Sequence, residues 1–157
     1  MNIVLNDVEQ ILSRSIAEAR QRSARDAGQK NMAVSRVSPE QLDLEGAGAE
    51  VAFCKMMNVY PDTEPGKKSA DCVLRDGRTV DVKSTAHPAG RLIAARWKVL
   101  GEVEVYALMI GSFPAYRFAG WATSEGLIQH ERLVHDLGHP MYAMAQHELE
   151  RAETLLG

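Results

Sequence analysis

The sequence predicts an α/β domain with a central mixed sheet of four to five strands flanked by helices, and three features predict it. Two N-terminal stretches pair helix-start signals with apolar residues at helical spacing. Residues 70–83 alternate apolar and polar on both sides of Asp76-Gly77, the pattern of a β-hairpin. Val103 to Ile110 is an unbroken apolar run of strand length, as expected for a strand covered on both faces. The 157 residues suit a single domain over 1–157 with a substantial core. A hydrophobic fraction of 45% with 25% charged residues is ordinary for a globular chain. No apolar run reaches membrane-spanning length, and the first residues, Met-Asn-Ile-Val-Leu-Asn-Asp, lack the character of a secretory signal. A cytoplasmic protein without a membrane partner is therefore expected.

The first helix is expected over about 6–27. Asn6 with Glu9 three residues later makes a capping box, and Val8, Ile11, Leu12, Ile16 and Ala19 form the apolar stripe. Arg14, Arg20, Arg22 and Arg25 lie off that stripe, as a solvated basic face or a phosphate-contacting arm. After a linker over 28–39, Ser38 caps a second helix, with Pro39 at its first position and Gln41 completing a box, and the helix runs to about Asn58. Gly46, Ala47, Gly48 and Ala49 make its middle thin, which predicts close approach by another backbone. Glu50 shares the face of Ala47, Phe53, Cys54 and Met57, so it should be buried. A buried carboxylate needs a metal, a water or an internal ion pair.

Residues 59–69 read as a loop bringing Lys67 and Lys68 up to the hairpin, and 84–90 as a second loop with Ser84, Thr85 and His87. Arg91 to Leu100 is too apolar for a free loop and fits a strand or a short helix. Beyond the 103–110 strand, Gly111 to Pro114 turns the chain into a returning strand over Tyr116 to Ala122, where Gly120 marks a bulge or close packing and Trp121 belongs to the core. Thr123 or Ser124 caps a short helix. His130, His135 and His139 are not aligned for a metal, because Gly138 and Pro140 interrupt the segment. A C-terminal helix is expected over about 141–156, with Met144, Leu149, Ala152 and Leu155 on one side, as a cover or a homodimer contact. Cys54 and Cys72 have no zinc spacing and fall on apolar faces, so both are expected to be core thiols.

The hairpin's register decides its chemistry. A two-residue turn would set Cys72 opposite Asp81 and mix apolar with charged side chains on both faces. A three-residue turn, Arg75-Asp76-Gly77 with Gly77 at positive φ, sets Asp71 opposite Asp81 instead. Cys72, Leu74, Val80 and Val82 then share one face, and Asp71, Val73, Thr79, Asp81 and Lys83 the other. Two like charges side by side require compensation, by a cation between them, by Lys83 or by a proton. Oxygen ligands suit Mg²⁺ or Mn²⁺ better than zinc. Asp81→Asn is then expected to raise the metal-free melting temperature and to remove the shift on adding Mn²⁺. Net charge is −3, so attraction to nucleic acid has to be local. Residues 71–100 carry six Lys/Arg against three acids, whereas 125–157 carry two against six. Positive charge gathers beside the hairpin.

Asp71, then Asp81-Val82-Lys83, with Glu50 on an upstream helix, resembles the PD-(D/E)XK nuclease superfamily over roughly residues 42–122, and the surroundings look like small nucleases of phages and mobile elements. Two departures stand. Ala70 replaces the proline before the first Asp, with a literal Pro61-Asp62 further upstream in a turn-like loop, and the family's helix after the lysine strand is not evident in Arg91 to Leu100. The resemblance implies a restriction-endonuclease-like fold and a Mg²⁺- or Mn²⁺-dependent nuclease acting on DNA. It implies Asp71, Asp81, the Val82 carbonyl and Glu50 as metal ligands, with Lys83 beside them in catalysis. Lys67, Lys68, Ser84, Thr85, His87, Arg91, Arg96 and Lys98 would line the path of the DNA. A catalytically silent nucleic-acid-binding or assembly module that keeps the fold is the alternative.

Overall fold

The computed structural model describes residues 1–28, 37–66 and 70–156. Strand β1 (Asn2–Val4) leads into helix α1 (Asp7–Asp26), whose capping box is complete: Asn6 Oδ1 accepts from Glu9 N, and Glu9 Oε2 accepts from Asn6 N. Helix α2 (Pro39–Met57) starts at Ser38, which accepts from Gln41 N, and stops at Asn58 in the left-handed conformation. The Gln41 side chain donates to Glu45 instead of closing the box. Most of the 28–39 linker, and Lys67 and Lys68, lie outside the described residues.

There follow β2 (Cys72–Val73), β3 (Thr79–Thr85), β4 (Leu92–Ala95), β5 (Val105–Ser112), β6 (Ala115–Thr123), α3 (Ser124–Leu127), β7 (Leu133–Val134), β8 (Met141–Met144) and α4 (Ala152–Leu156). The main sheet has five strands in the order β1-β6-β5-β3-β2, with β3 and β5 parallel and the other pairs antiparallel. A second sheet, β4-β8-β7, is antiparallel throughout.

Strand β5 divides the core between its two faces. Val105, Ala107 and Met109 join Phe53, Ala52, Val80 and Val82 in a cluster beneath the long helices. Tyr106, Leu108 and Ile110 join Leu92, Ala94, Leu127 and Met144 in a second cluster beneath the small sheet. Alternation on a strand buried on both faces supplies both cores from one apolar run. The result is three layers, with helices on one side of the main sheet and the small sheet on the other. Among the described residues no helix is long and apolar enough to cross a membrane.

Two expectations are corrected. The stretch from Met141 to Leu156 is not one helix. Met141–Met144 pairs with Leu92–Ala95, a 3₁₀ turn follows at Gln146–Glu148, and only Ala152–Leu156 is helical. Pairing with a distant strand overrides local helical spacing there, and Gln146 is tied further by donating to Pro88 O and Gly90 O. The buried side of α1 is rotated from the predicted stripe: Ser13, Ile16 and Ala17 are buried, while Val8 and Ile11 face solvent. Small side chains let α1 lie close along α2, and Ser13 satisfies its hydroxyl on Glu9 O. Of the two alternatives for Arg91 to Leu100 the strand is found: the stretch forms β4 followed by turns, with no helix between the lysine strand and β5.

The thin middle of α2 meets side chains where a backbone was expected. A Cβ on Gly48 would stand 2.5 Å from the Tyr116 hydroxyl and 2.7 Å from the Phe113 ring, whereas one on Gly46 meets nothing within 4 Å. Tyr116 cannot swing aside freely, because its hydroxyl lies within hydrogen-bond distance of both Glu45 O and Glu45 Oε2. Gly48→Ala should therefore destabilise by about 1–3 kcal/mol through overpacking, while Gly46→Ala should stabilise by roughly 0.5–1 kcal/mol through helix propensity. Urea titration of the two variants checks this; equal effects would contradict the packing.

Candidate functional site

The hairpin has the three-residue turn. Cys72 pairs with Val80 and Val73 with Thr79, the expected register, and the paired residues end at Cys72, one short of Asp71. Leu74 N donates to Arg78 O and Gly77 N to Leu74 O, and Gly77 has φ +93°, as a type I turn with a glycine bulge requires. Cys72, Leu74, Val80 and Val82 all enter the core beneath the helices. Asp81 and Lys83 face the other way, in register with Tyr106 and Leu108 of β5.

Asp71 does not stand on either face. Its backbone N–H donates to Val80 O at 2.7 Å, and its side-chain Oδ2 accepts from Val82 N at 2.7 Å. The carboxylate thus continues the ladder in the plane of the sheet, where β2 has ended. Within a strand the N–H and C=O of one residue point to the same side, so the Val82 carbonyl also points to this edge. The Pro61-Asp62 loop runs alongside: Asp62 N donates to Asp71 O, and Asp62 Oδ1 accepts from Glu64 N in an Asx turn.

Each neighbouring acid has a cation. Glu50, 6% exposed, takes both prongs of Arg20, at 2.8 and 2.7 Å. Asp81, 5% exposed, has Lys83 Nζ at 2.8 Å on Oδ1 and Lys98 Nζ at 3.3 Å on Oδ2. Asp71 has the Val82 N–H but no ion pair among the described residues. Burial, then the charges of Glu50 and Asp81, push its carboxyl up to about 7. Burial also raises Glu50, against the pull of Arg20, and the Glu50 hydrogen bonds raise Arg20 in turn. Tyr106, beside Asp81, has a buried hydroxyl without a hydrogen-bond partner among the described residues, and burial with the Asp81 and Glu102 charges moves it up to about 12.

The remaining predicted residues divide. Thr85 and His87 close the loop after β3, with Thr85 Oγ1 accepting from His87 N and His87 Nδ1 from Ala89 N. Arg91 pairs with Asp136 at 2.9 Å. Ser84 and Arg96 are exposed. Lys98, expected on the path of a substrate, reaches Asp81 instead. Arg20, expected on a solvated basic face or as a phosphate-contacting arm, turns to Glu50 instead. Its spacing of four from Ile16 and three from Ala17 puts it on the stripe that is buried.

Among the described residues no group of three or more His, Cys, Asp or Glu side chains is arranged to hold a metal. Asp71, Asp81 and the Val82 carbonyl are a smaller set that could hold a Mg²⁺ ion only if it kept several waters, since such an ion needs one or two protein carboxylates. A cation at this edge would relieve the repulsion that burial concentrates at Asp71. No family model matches the chain, and no curated protein matches it.

The ion pairs reverse the expectation for Asp81→Asn. That change would leave two ammonium groups without their carboxylate, so it should lower the melting temperature. Asp71→Asn should raise it, since an amide oxygen still accepts from Val82 N and the repulsion is gone. The folded Asp71 value of about 7 lies above the ordinary 3.8, so its contribution to stability is full below pH 3.8 and is lost as pH rises through 7. The gain from Asp71→Asn in chelator should accordingly be largest near pH 8, at roughly 2–4 °C for each kcal/mol recovered, and shrink toward pH 5. Thermal scans at the two pH values check this; a gain independent of pH would remove Asp71 as the uncompensated charge.

Proposed function

We propose that this chain is a metal-dependent nuclease that hydrolyses phosphodiester bonds in DNA, built on a restriction-endonuclease-like core. The observation that supports the reading is the hairpin edge, where the Asp71 carboxylate accepts from the N–H of Val82, the residue after Asp81, and Lys83 stands 2.8 Å from Asp81. Mg²⁺ or Mn²⁺ would be held by Asp71, Asp81 and the Val82 carbonyl. Bound there, the ion supplies a water of lowered pKa and offsets charge on the attacked phosphoryl group.

The chain's own residues do the positioning. Asp81 holds the Lys83 ammonium at 2.8 Å, and the Lys83 side chain is 31% exposed, so it stays fixed while remaining open to a substrate oxygen. An ammonium fixed in this way stabilises negative charge as it develops on the phosphoryl oxygens. Lys98 shares Asp81, and a cation arriving at Oδ2 would free its ammonium for the phosphate backbone. Glu50, clamped by Arg20, lies behind Asp71 and raises its affinity for positive charge; direct ligation by Glu50 would require Arg20 to let go.

A second reading, a nucleic-acid-binding or assembly module without catalysis, has one specific observation in its favour. Glu50 and Asp81 are already neutralised by Arg20, Lys83 and Lys98, as in a site that has replaced its metal with internal cations.

Cleavage of linear and nicked DNA with Mg²⁺ or Mn²⁺ separates the two. The nuclease reading expects metal-dependent products from the wild type and a loss of about 10²-fold or more for Lys83→Ala. Absence of cleavage on both substrates with both metals would favour the silent module.

A further inference from the structure

Between β4 and β5 the chain makes a turn over residues 96–102 that exposes Trp97 by 71%, Val99 by 66% and Leu100 by 55%. The exposure does not come from a loose segment. Lys98 N donates to Ala95 O, Glu102 N to Val99 O, and Val99 N to the Glu102 side chain. Gly101 N donates to the buried hydroxyl of Ser124, and Val103 is fully buried directly afterwards. Three apolar side chains are thus presented outward on a turn fastened at both ends.

The residue between them points the other way. Lys98 turns inward to Asp81 at 3.3 Å, so Trp97 and Val99 flank a residue that touches the carboxylate site. Arg96 precedes Trp97, is exposed and has no ion pair among the described residues. An exposed indole next to an exposed guanidinium is the pairing that binds single-stranded nucleic acid, with the ring stacking on a base and the cation meeting the backbone. Bases within a duplex are already stacked on one another, so such a platform favours unpaired ones. A contact with a second copy of the chain is less well matched, because a stable interface takes about 20–30 residues a side and this patch is a single turn with charged neighbours.

We infer that the 96–102 turn is a nucleobase-stacking element that directs the site toward unpaired DNA, with Trp97 as the stacking ring. The inference deepens the nuclease reading and rests on it for the position of the cleaved strand, but binding can be measured without cleavage. The probes are single-stranded oligo(dT) and a blunt duplex of the same length, both in chelator.

The chain has two tryptophans. Trp121 is buried, with its indole N–H within reach of Arg151 O and Thr154 Oγ1, so fluorescence quenching on binding reports Trp97. The expected result is quenching by oligo(dT), affinity for oligo(dT) reduced about tenfold or more in Trp97→Ala and largely kept in Trp97→Phe, and duplex affinity unchanged in both. Unchanged circular dichroism and melting of the exposed-site variants would exclude misfolding as the cause. The inference is overturned if neither DNA binds the wild type, if Trp97→Ala leaves oligo(dT) affinity intact, or if single-stranded and duplex affinity fall together. It is also overturned if sedimentation shows Trp97→Ala turning a dimer into a monomer without altering oligo(dT) affinity, which would assign the turn to a subunit contact. Failure of the nuclease reading looks different: oligo(dT) would bind through Trp97 while no metal supports cleavage.

Discussion

The bond between the Asp71 carboxylate and the Val82 N–H is the constraint on which the site depends. It substitutes a side chain for the backbone acceptor that β2 no longer supplies, so the ladder ends on a carboxylate. A one-residue slip of the hairpin would turn Val80 and Val82 out of the helix-side core and turn Asp81 into it. The same apolar pairs that fix the register therefore fix where the charges go. Stability and chemistry are joined at this edge, because the core residues and the candidate site residues alternate along one strand.

Burial explains the distribution of cations around that edge. A lone carboxylate in the interior is costly, and the chain answers the cost differently at each acid. Glu50 is reached from a neighbouring helix by a planar guanidinium that matches its two oxygens. Asp81 is reached by two ammonium groups, one two residues along its own strand and one from the turn beyond β4. Among the described residues Asp71 has a backbone N–H and no ion pair; burial and the charges of Glu50 and Asp81 outweigh that bond and the Lys83 charge, and its raised proton affinity follows. Positive charge supplied from outside the chain would be most favourable here, whether it arrives as a proton or as a divalent ion.

What was legible in the sequence follows from how local the determining interaction is. The hairpin register could be read because only one turn length keeps apolar and polar residues apart, and the start of α1 because its capping box spans three residues. The burial of Glu50 could be read from helical spacing, but its partner could not: Arg20 lies thirty residues earlier, and its place on the buried side depends on a rotation of α1 set by Ser13 and Ala17 packing along α2. Val8 and Ile11 made the wrong stripe look better on hydrophobicity alone. The C-terminal stretch failed for a related reason. Met141–Met144 has residues that suit a helix, and only Leu92–Ala95, distant in sequence, makes it a strand.

The connection between the two parallel strands links these points. Parallel neighbours need a crossover, usually a helix; here residues 86–104 form it with a strand and turns. That strand, β4, recruits β8 and β7 into a sheet that covers the Asp81 side of the core, so the face is already filled by Leu92, Ala94, Val103 and Met144 when the chain turns back toward β5. Trp97 stays outside that cluster, whereas Lys98 places its ammonium on Asp81. The exposure of Trp97 and the inward reach of Lys98 thus sit side by side on one crossover, where the chain passes from the small sheet to the Asp81 side of β3.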